Sequence, residues 1–448
     1  MLSVPSEVIG RYDVSGPRYT SYPTVPAWSG AFGEAAYRAA LADARADDAP
    51  VAVYVHLPYC ATKCFYCGCN AFTTSRADVI DRYIDDLERE VALVLDSLGH
   101  GRRAAQMHWG GGTPNLLNPS QLDRVFSLFE RSFSFAEGAE LSIEADPRRA
   151  SVGQLRFLRD LGFNRISFGV QDLDPDVQDA IGRMQPEALV REVCDGARTA
   201  GFDELNLDLI YGLPRQTVGS FQHTLGTVLT LDPDRIACFG YAHMPAQRAH
   251  QRLIEDRELP GTADRFDLFA LAASMFSDAG YTWLGLDHFA RRDDPLAVAQ
   301  RRGALHRNFM GYTTMPGQHL VGFGASAISE VAGRFAQNDA RVGGWRDAVG
   351  AGRLPIVRGH TMTEADRRRG AAIRHLMCNL ELPFALAAGE LHGALERLRA
   401  YVPDGLVTFE SDRVRVTERG RFFLRNLCME FDAYLPSQAG SARFSKTV

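Results

Sequence analysis

Four of the chain's eight cysteines, Cys60, Cys64, Cys67 and Cys69, lie within ten residues of one another. The first three follow the pattern C-x3-C-x2-C in the run from His56 to Asn70. This spacing lets one short loop offer three thiolates to a cubane iron–sulfur cluster and leaves the fourth iron without a protein ligand. An open iron can bind a small molecule directly, so the motif points to chemistry as well as to electron storage. Zinc is the first alternative. Structural zinc draws its ligands as two close pairs across a longer spacer, and the sequence has no second C-x2-C or H-x3-H pair. A disulfide framework suits short secreted chains, not one of 448 residues without a secretory signal pattern. Cys194, Cys238, Cys378 and Cys428 fall in apolar patterns and are expected to pack as buried thiols.

The cysteine loop follows residues 51–56, which alternate apolar and polar with period two. Similar short patterns recur at 105–109, 140–144, 165–171, 205–210, 235–242 and 281–287, with longer amphipathic stretches between them. Over 118–129, Asn118 is a fitting N-cap and Pro119 the first helical residue. Repeated strand–helix units predict an α/β fold with a parallel sheet, open or closed as a barrel, whose active face lies at the strands' C-terminal ends. Several units place Gly, Glu, Gln, Asp or His at that end, which is where the cysteine loop also falls. Residues 15–24 are too rich in Pro and Gly for a helix, and 290–350 read as glycine-rich and loop-prone. After 355 the pattern turns helical and then hairpin-like at 405–417, which suggests a small α+β domain of winged-helix type. The division expected is an N-terminal arm over 1–50, a catalytic barrel with its extension over 51–355, and a C-terminal domain over 356–448.

The hydrophobic share of 46% is ample for a packed interior, and the net charge of −6 argues against non-specific nucleic-acid binding. No apolar run approaches membrane-spanning length, and the start lacks the shape of a signal peptide, so a cytoplasmic, reduced chain is expected. Lys63 and Lys446 are the only lysines, which all but removes Schiff-base chemistry. The many arginines reflect biased nucleotide composition in the plainest reading, yet they also suit a polycarboxylate ligand.

Tyr54-x-His56 before the cysteines, Trp109-Gly-Gly-Gly-Thr-Pro114, Gly169-Val-Gln171 and Asp208-Leu-Ile-Tyr-Gly-Leu-Pro214 resemble the radical S-adenosylmethionine (SAM) enzymes. Within them the chain is most similar to the oxygen-independent coproporphyrinogen III oxidases. That likeness runs from Gly16-Pro-Arg-Tyr-Thr-Ser-Tyr-Pro23, through Asp287-His-Phe-Ala-Arg291, to Asn426-Leu-Cys-Met-Glu-Phe-Asp-Ala-Tyr434. The resemblance implies a partial (β/α) barrel in which Cys60, Cys64 and Cys67 hold a [4Fe–4S] cluster and SAM chelates its open iron. Tyr54, Tyr66, Gly111, Glu144 and Ile328 would touch this SAM. It further implies a second SAM at Gly112, Thr113, Gln171, Arg183, Asp208 and Ala242, where Arg183 would pair with a carboxylate and Asp208 with ribose hydroxyls or an ammonium. Cys69 and Tyr22 are its candidate catalytic residues, and Arg18, Tyr19 and Tyr22 belong to an arm that covers the substrate opening. The implied reaction converts two propionates of coproporphyrinogen III to vinyl groups, giving protoporphyrinogen IX in haem biosynthesis. A 5′-deoxyadenosyl radical takes a propionate β-hydrogen, and carbon dioxide and one electron then leave. The implied enzyme is a monomer served by an external electron donor and acceptor.

Plainer readings stand beside these. The glycine run at 110–112 is an ordinary strand-end turn, Glu144 and Asp208 are helix caps, Cys69 is a small loop residue, and residues 17–23 are a solvated arm. His56, His108, His243 and His288 invite a haem-ligand reading, but a lone strand histidine is more often structural. The rival functions are a radical SAM haem-degrading methyltransferase, a haem chaperone, and a zinc-stabilised binding protein. The chaperone branch typically lacks both Cys69 and the Pro-Arg-Tyr-Thr-Ser-Tyr-Pro arm that this chain carries.

Overall fold

Val51–Leu57 (β1) is a strand buried on both faces, with Val53 and Val55 fully buried on one side and Tyr54, only partly buried, turned to the other. Five strands follow in chain order and lie beside it in parallel: Arg102–Gly111 (β2), Phe133–Ala145 (β3), Arg165–Gln171 (β4), Glu204–Tyr211 (β5) and Arg235–Gly240 (β6). The main crossover helices are Ala77–Leu98 (α1), Pro119–Ser132 (α2), Val152–Leu161 (α3), Glu187–Ala200 (α4) and Val218–Thr230 (α5). This computed structural model describes residues 4–315, 317, 319–435 and 444–447. The first residues of the expected arm and part of the expected C-terminal domain therefore lie outside the described residues.

The outer face of the sheet is apolar. Met107, Trp109, Ile143, Ile166, Phe168 and Leu207 are fully buried there, and Trp109 meets Phe163 edge-on at 4.9 Å. The inner face is polar, with Tyr54, His108 and Ser142 in register on neighbouring strands. Local sequence sets the helix starts. The Asn118 side chain accepts from the Gln121 N–H at 2.9 Å, and Gln121 Oε1 accepts from the Asn118 N–H at 3.1 Å. This capping box is worth about 1 kcal/mol.

Beyond β6 the structure departs from the expected pattern. Thr262–Asp278 (α6) leads into Tyr281–Gly285 (β7), which the periodicity assigns to the parallel series. Instead the chain turns back at Leu286 and Asp287, and His288–Arg291 (β8) pairs antiparallel with both β6 and β7. The region 290–350, expected to be loops, supplies His319–Phe323 (β9), parallel to β1, then Ile328–Val331 (β10) and Arg334–Asn338 (β11). Ile356–Thr361 (β12) also joins this sheet, just past the expected domain boundary. The order across the sheet is β12-β11-β10-β9-β1-β2-β3-β4-β5-β6-β8-β7. Its two edges do not meet, so the parallel strands form part of a barrel. Glu364–Asn379 (α7) then introduces three short antiparallel strands, Glu381–Pro383, Val407–Phe409 and Arg413–Val416, the last two being the expected hairpin. No helix among the described residues is long and apolar enough to cross a membrane.

Candidate active site

The loop after β1 is closed on itself. Tyr59–Cys60 pairs with Phe72–Thr73, Lys63 Nζ donates to the Ala71 carbonyl at 2.7 Å, and the Phe65 N–H donates to the Ile181 carbonyl at 2.9 Å. The strand-end glycines let β2 pass beneath it. Gly111 has φ +112° and a Cβ there would lie 2.6 Å from the His56 ring, while a Cβ on Gly112 would lie 2.7 Å from the Tyr59 carbonyl. His56 ties the start of the loop to its end. A carbonyl can only accept, so Nε2–H donates to Asn70 O at 3.0 Å and Nδ1 accepts from the Tyr54 hydroxyl at 3.0 Å. Burial holds the His56 ring below its ordinary pKa, in keeping with this neutral form.

The loop opens into a cavity of about 500 Å³ lined at once by Cys60, Cys64, Cys67, Cys69, Tyr66, Gly111, Gly112, Thr113, Glu144, Gln171, Arg183, Asp208 and Ala242. These side chains come from the C-terminal ends of β2 to β6 and from the cysteine loop. Tyr54 stands behind the cavity, stacked 6.0 Å from His108. Ile328 lies on β10, two strands away, where its carbonyl closes against Gly322, the register partner of Tyr54. Tyr22 does not line this cavity. It is buried in the arm, its hydroxyl accepts from the Ala433 N–H at 3.0 Å, and it faces a second cavity against α7.

Around the sulfurs the donors are specific. Thr113 Oγ1 lies 3.3 Å from Cys60 Sγ, and Arg183 Nη1 and Arg148 Nη2 lie 3.5 and 3.7 Å from Cys64 Sγ. Such donors stabilise thiolates, and thiolates are what an iron–sulfur cluster requires. Among the described residues no three His, Cys, Asp or Glu side chains converge on a single metal ion. A hydrogen bond between the Cys67 and Cys69 thiols pulls Cys67 down and pushes Cys69 up. The remaining cysteines, Cys194, Cys238, Cys378 and Cys428, are buried and unpaired, as expected.

Two carboxylates, Glu144 and Asp208, line the cavity from the inner face of the sheet. Burial works against the Glu144 charge, but the bond from His108 Nε2 at 3.3 Å and the Gly111 N–H at 3.3 Å outweigh it, and the carboxyl lies below its ordinary value. Burial, with the Glu144 charge nearby, pushes the Asp208 carboxyl up to about 7. Asp208 accepts from Asn206 Nδ2 at 2.8 Å and from the Ser167 hydroxyl at 3.1 Å. It is therefore held by inner-face side chains and is not a helix cap. Arg183 is already partnered, by Asp146 at 3.3 Å and by the Gly169 carbonyl at 2.6 Å, yet its buried Nε has no acceptor. Gln171 turns into the cavity with φ +67°, a strained value for a residue with a side chain and one that marks functional sites.

Several residues that the spacing argument passed over complete the site. On the turn after β3, Arg148 reaches Cys64, and Asp146 accepts from both arginines that do so, Arg148 and Arg183. The segment after β6 holds the loop from outside, with His250 Nε2 at 2.7 Å from the Cys67 carbonyl and Gln251 Nε2 donating to the Tyr66 carbonyl at 2.8 Å. Nothing in the local sequence at 250–251 signals this contact. Arg18 of the arm also lines the cavity, paired with buried Asp287 at 2.7 Å. Asp287 in turn holds His288 Nδ1 at 2.8 Å, and His243 is bonded to Tyr241 and Asp256. The four singled-out histidines thus all have protein partners.

Residues 54–228 match the model of the radical SAM superfamily. The chain is 42% identical to the oxygen-independent coproporphyrinogen III oxidase of Escherichia coli (strain K12) over 98% of each chain. It is 37% identical to that of Synechocystis sp. (strain PCC 6803), over 99% of this chain and 98% of the relative. Among solved structures, coproporphyrinogen III oxidase from Escherichia coli, described as a radical SAM enzyme, matches with a TM-score of 0.91 at 40% identity, covering 97% of this chain and 99% of that one.

Proposed function

The chain belongs to the oxygen-independent coproporphyrinogen III oxidase family of radical SAM enzymes, and from that premise we propose that the cysteine-loop cavity is where it turns coproporphyrinogen III into protoporphyrinogen IX. Each of two propionate side chains loses a β-hydrogen atom, carbon dioxide and one electron, and becomes a vinyl group. The observation that carries this reading is that one cavity gathers three thiolate donors, two inner-face carboxylates and the glycine floor.

Bound together, a [4Fe–4S] cluster and SAM supply a primary carbon radical strong enough to take an unactivated hydrogen. The chain's own residues hold, orient and enclose. In this proposal Cys60, Cys64 and Cys67 would ligate three irons, and the donors from Thr113, Arg148 and Arg183 stabilise the thiolates of Cys60 and Cys64. Glu144, kept ionised by His108 and the Gly111 N–H, accepts from the SAM ammonium, and Tyr66 offers an aromatic face. Tyr54 and Ile328 act from behind, by fixing His56 and the Gly322 turn. A second SAM takes Gly112, Thr113, Gln171, Arg183, Asp208 and Ala242, where the unpaired Nε of Arg183 awaits an acceptor. Cys69, exposed at the loop's end, is the nearest spare thiol to the reacting centre. The arm shuts the cavity through Arg18, which matters because a primary radical attacks any accessible C–H bond. The reading carries a cytoplasmic monomer served by an external one-electron donor and acceptor.

The test is anaerobic incubation of the reconstituted, reduced protein with SAM and coproporphyrinogen III, with mass spectrometry of the porphyrins and the nucleoside. Protoporphyrinogen with 5′-deoxyadenosine is the expected result. Deoxyadenosine without decarboxylation would sink the substrate, and neither product from protein with an intact cluster would sink the reaction.

A further inference from the structure

A second cavity, of about 290 Å³, lies where the N-terminal arm crosses α7. Tyr19 to Tyr22 form one wall, and Arg367, Gly370, Arg374 and Met377, at helical spacing on α7, form the opposite one. The barrel contributes Arg307 and Glu330. At Gly370 the arm comes close, since a Cβ there would lie 3.6 Å from the Tyr22 ring.

The charges around this cavity do not balance among themselves. Asp366 is saturated by His360, by the N–H and hydroxyl of Thr363 and by the Tyr434 hydroxyl. Arg367 lies 3.8 Å from Glu364. Arg307 donates through Nη1 to the Arg18 carbonyl at 3.4 Å, but its buried Nε has no acceptor. Arg374 makes no hydrogen bond or ion pair among the described residues, so two guanidiniums face the cavity against the single carboxyl of Glu330. Arg374, and the unfilled Nε of Arg307, bordering one space suit a ligand that carries carboxylates.

The cavity is a neighbour of the site already described along the arm, where Arg18 lines the first cavity and Tyr19 the second. Glu330 is two residues from Ile328 on the same face of β10, roughly 7 Å along the strand. Arg307 grips the backbone of Arg18, whose own guanidinium lines the cysteine-loop cavity. A ligand entering under the arm would therefore present one end to the cysteine loop and another to Arg307 and Arg374.

We propose that Arg307 and Arg374 anchor propionates of the substrate that are not the one reacting, and so set which propionate reaches the cysteine-loop cavity. This rests on the porphyrinogen reading above. The test uses two air-stable probes followed by fluorescence titration: coproporphyrin III, which has the substrate's carboxylates, and its tetramethyl ester, which has none. Arg374→Ala and Arg307→Gln are each expected to weaken coproporphyrin binding about tenfold and to leave the ester unchanged, with Arg374→Lys in between. In turnover the same variants raise KM more than they lower kcat. Unchanged coproporphyrin affinity in both variants overturns the anchor, and so does equal weakening of both probes, which would mean lost shape and not lost charge. Arg374 is exposed, so its replacement is a safe variant should Arg307→Gln misfold. A wild type that turns substrate over while its variants bind normally fails the anchor alone, whereas a wild type that binds neither probe and makes no vinyl product fails the functional reading and the anchor with it.

Discussion

Asp208 and Glu144 share one cavity wall but are tuned in opposite directions, one by burial and the other by His108 and a backbone N–H. A carboxyl at about 7 loses its charge as the pH falls through neutrality, and with it the ability to bind an ammonium. SAM binding at the second position is therefore expected to weaken below neutrality in the wild type and to be flat in Asp208→Asn, as equilibrium dialysis between roughly pH 6 and 8 would show. A wild type as flat as the variant would contradict the role given to Asp208. The thiols divide just as sharply. Alanine at Cys60, Cys64 or Cys67 should abolish the brown iron–sulfur absorbance and bound iron, while Cys69→Ala should keep both and lose only turnover. The three ligand cysteines were legible because their spacing is itself the chemistry. Arg148 and His250 were not, since each meets the loop only through folding across distant parts of the chain.

At the scale of elements, α1 does more than cover the sheet. Buried Glu90, on its inner side, accepts from the Gly324 N–H at 2.7 Å, Asn338 Nδ2 at 2.5 Å and Trp345 Nε1 at 3.1 Å. It thereby pins the turn between β9 and β10 that carries the chain to Ile328. Burial raises its carboxyl to about 7 despite these donors. The folded state then binds more protons than the unfolded one between the ordinary glutamate value and about 7, so this group's contribution to stability falls as pH rises through that window, by on the order of 3 kcal/mol. Glu90→Gln, which mimics the protonated acid, should flatten the dependence and leave stability close to wild type at the acid end. Urea midpoints across the window would check both, and an unchanged slope would refute the assignment. The parallel strands were readable because each alternates or ends in a polar turn. Strands β9 to β11 were not, because glycines at 322, 324 and 333 interrupt short segments and look like loop. β7 has a sound strand pattern, but no local signal separates a parallel strand from the outer arm of a hairpin.

For the whole molecule, the two stretches that most distinguished the sequence, 16–23 and 426–434, prove to be neighbours. Buried Arg425 donates to the carbonyls of Gly16, Pro17, Ser445 and Lys446, and Tyr19 donates to Asp432 at 3.0 Å. Burial, with Arg18 nearby, lowers the Arg425 guanidinium to about 9, so this charge is held at a cost. Arg425→Met keeps the stem but strips the donors. It should weaken the arm's attachment by about 3 kcal/mol and speed proteolytic cleavage near residues 10–25, while the sheet's unfolding midpoint moves little. A cleavage rate equal to wild type would show the arm is held elsewhere. All these parts serve one claim, that the enclosed cysteine-loop cavity carries hydrogen from a propionate β-carbon to SAM's 5′-carbon. The most direct measurement is a single anaerobic turnover with coproporphyrinogen III deuterated at the propionate β-carbons, followed by mass spectrometry of the nucleoside. Deuterium in 5′-deoxyadenosine, with one carbon dioxide released per label transferred, is the predicted result; vinyl product formed with unlabelled deoxyadenosine would contradict it.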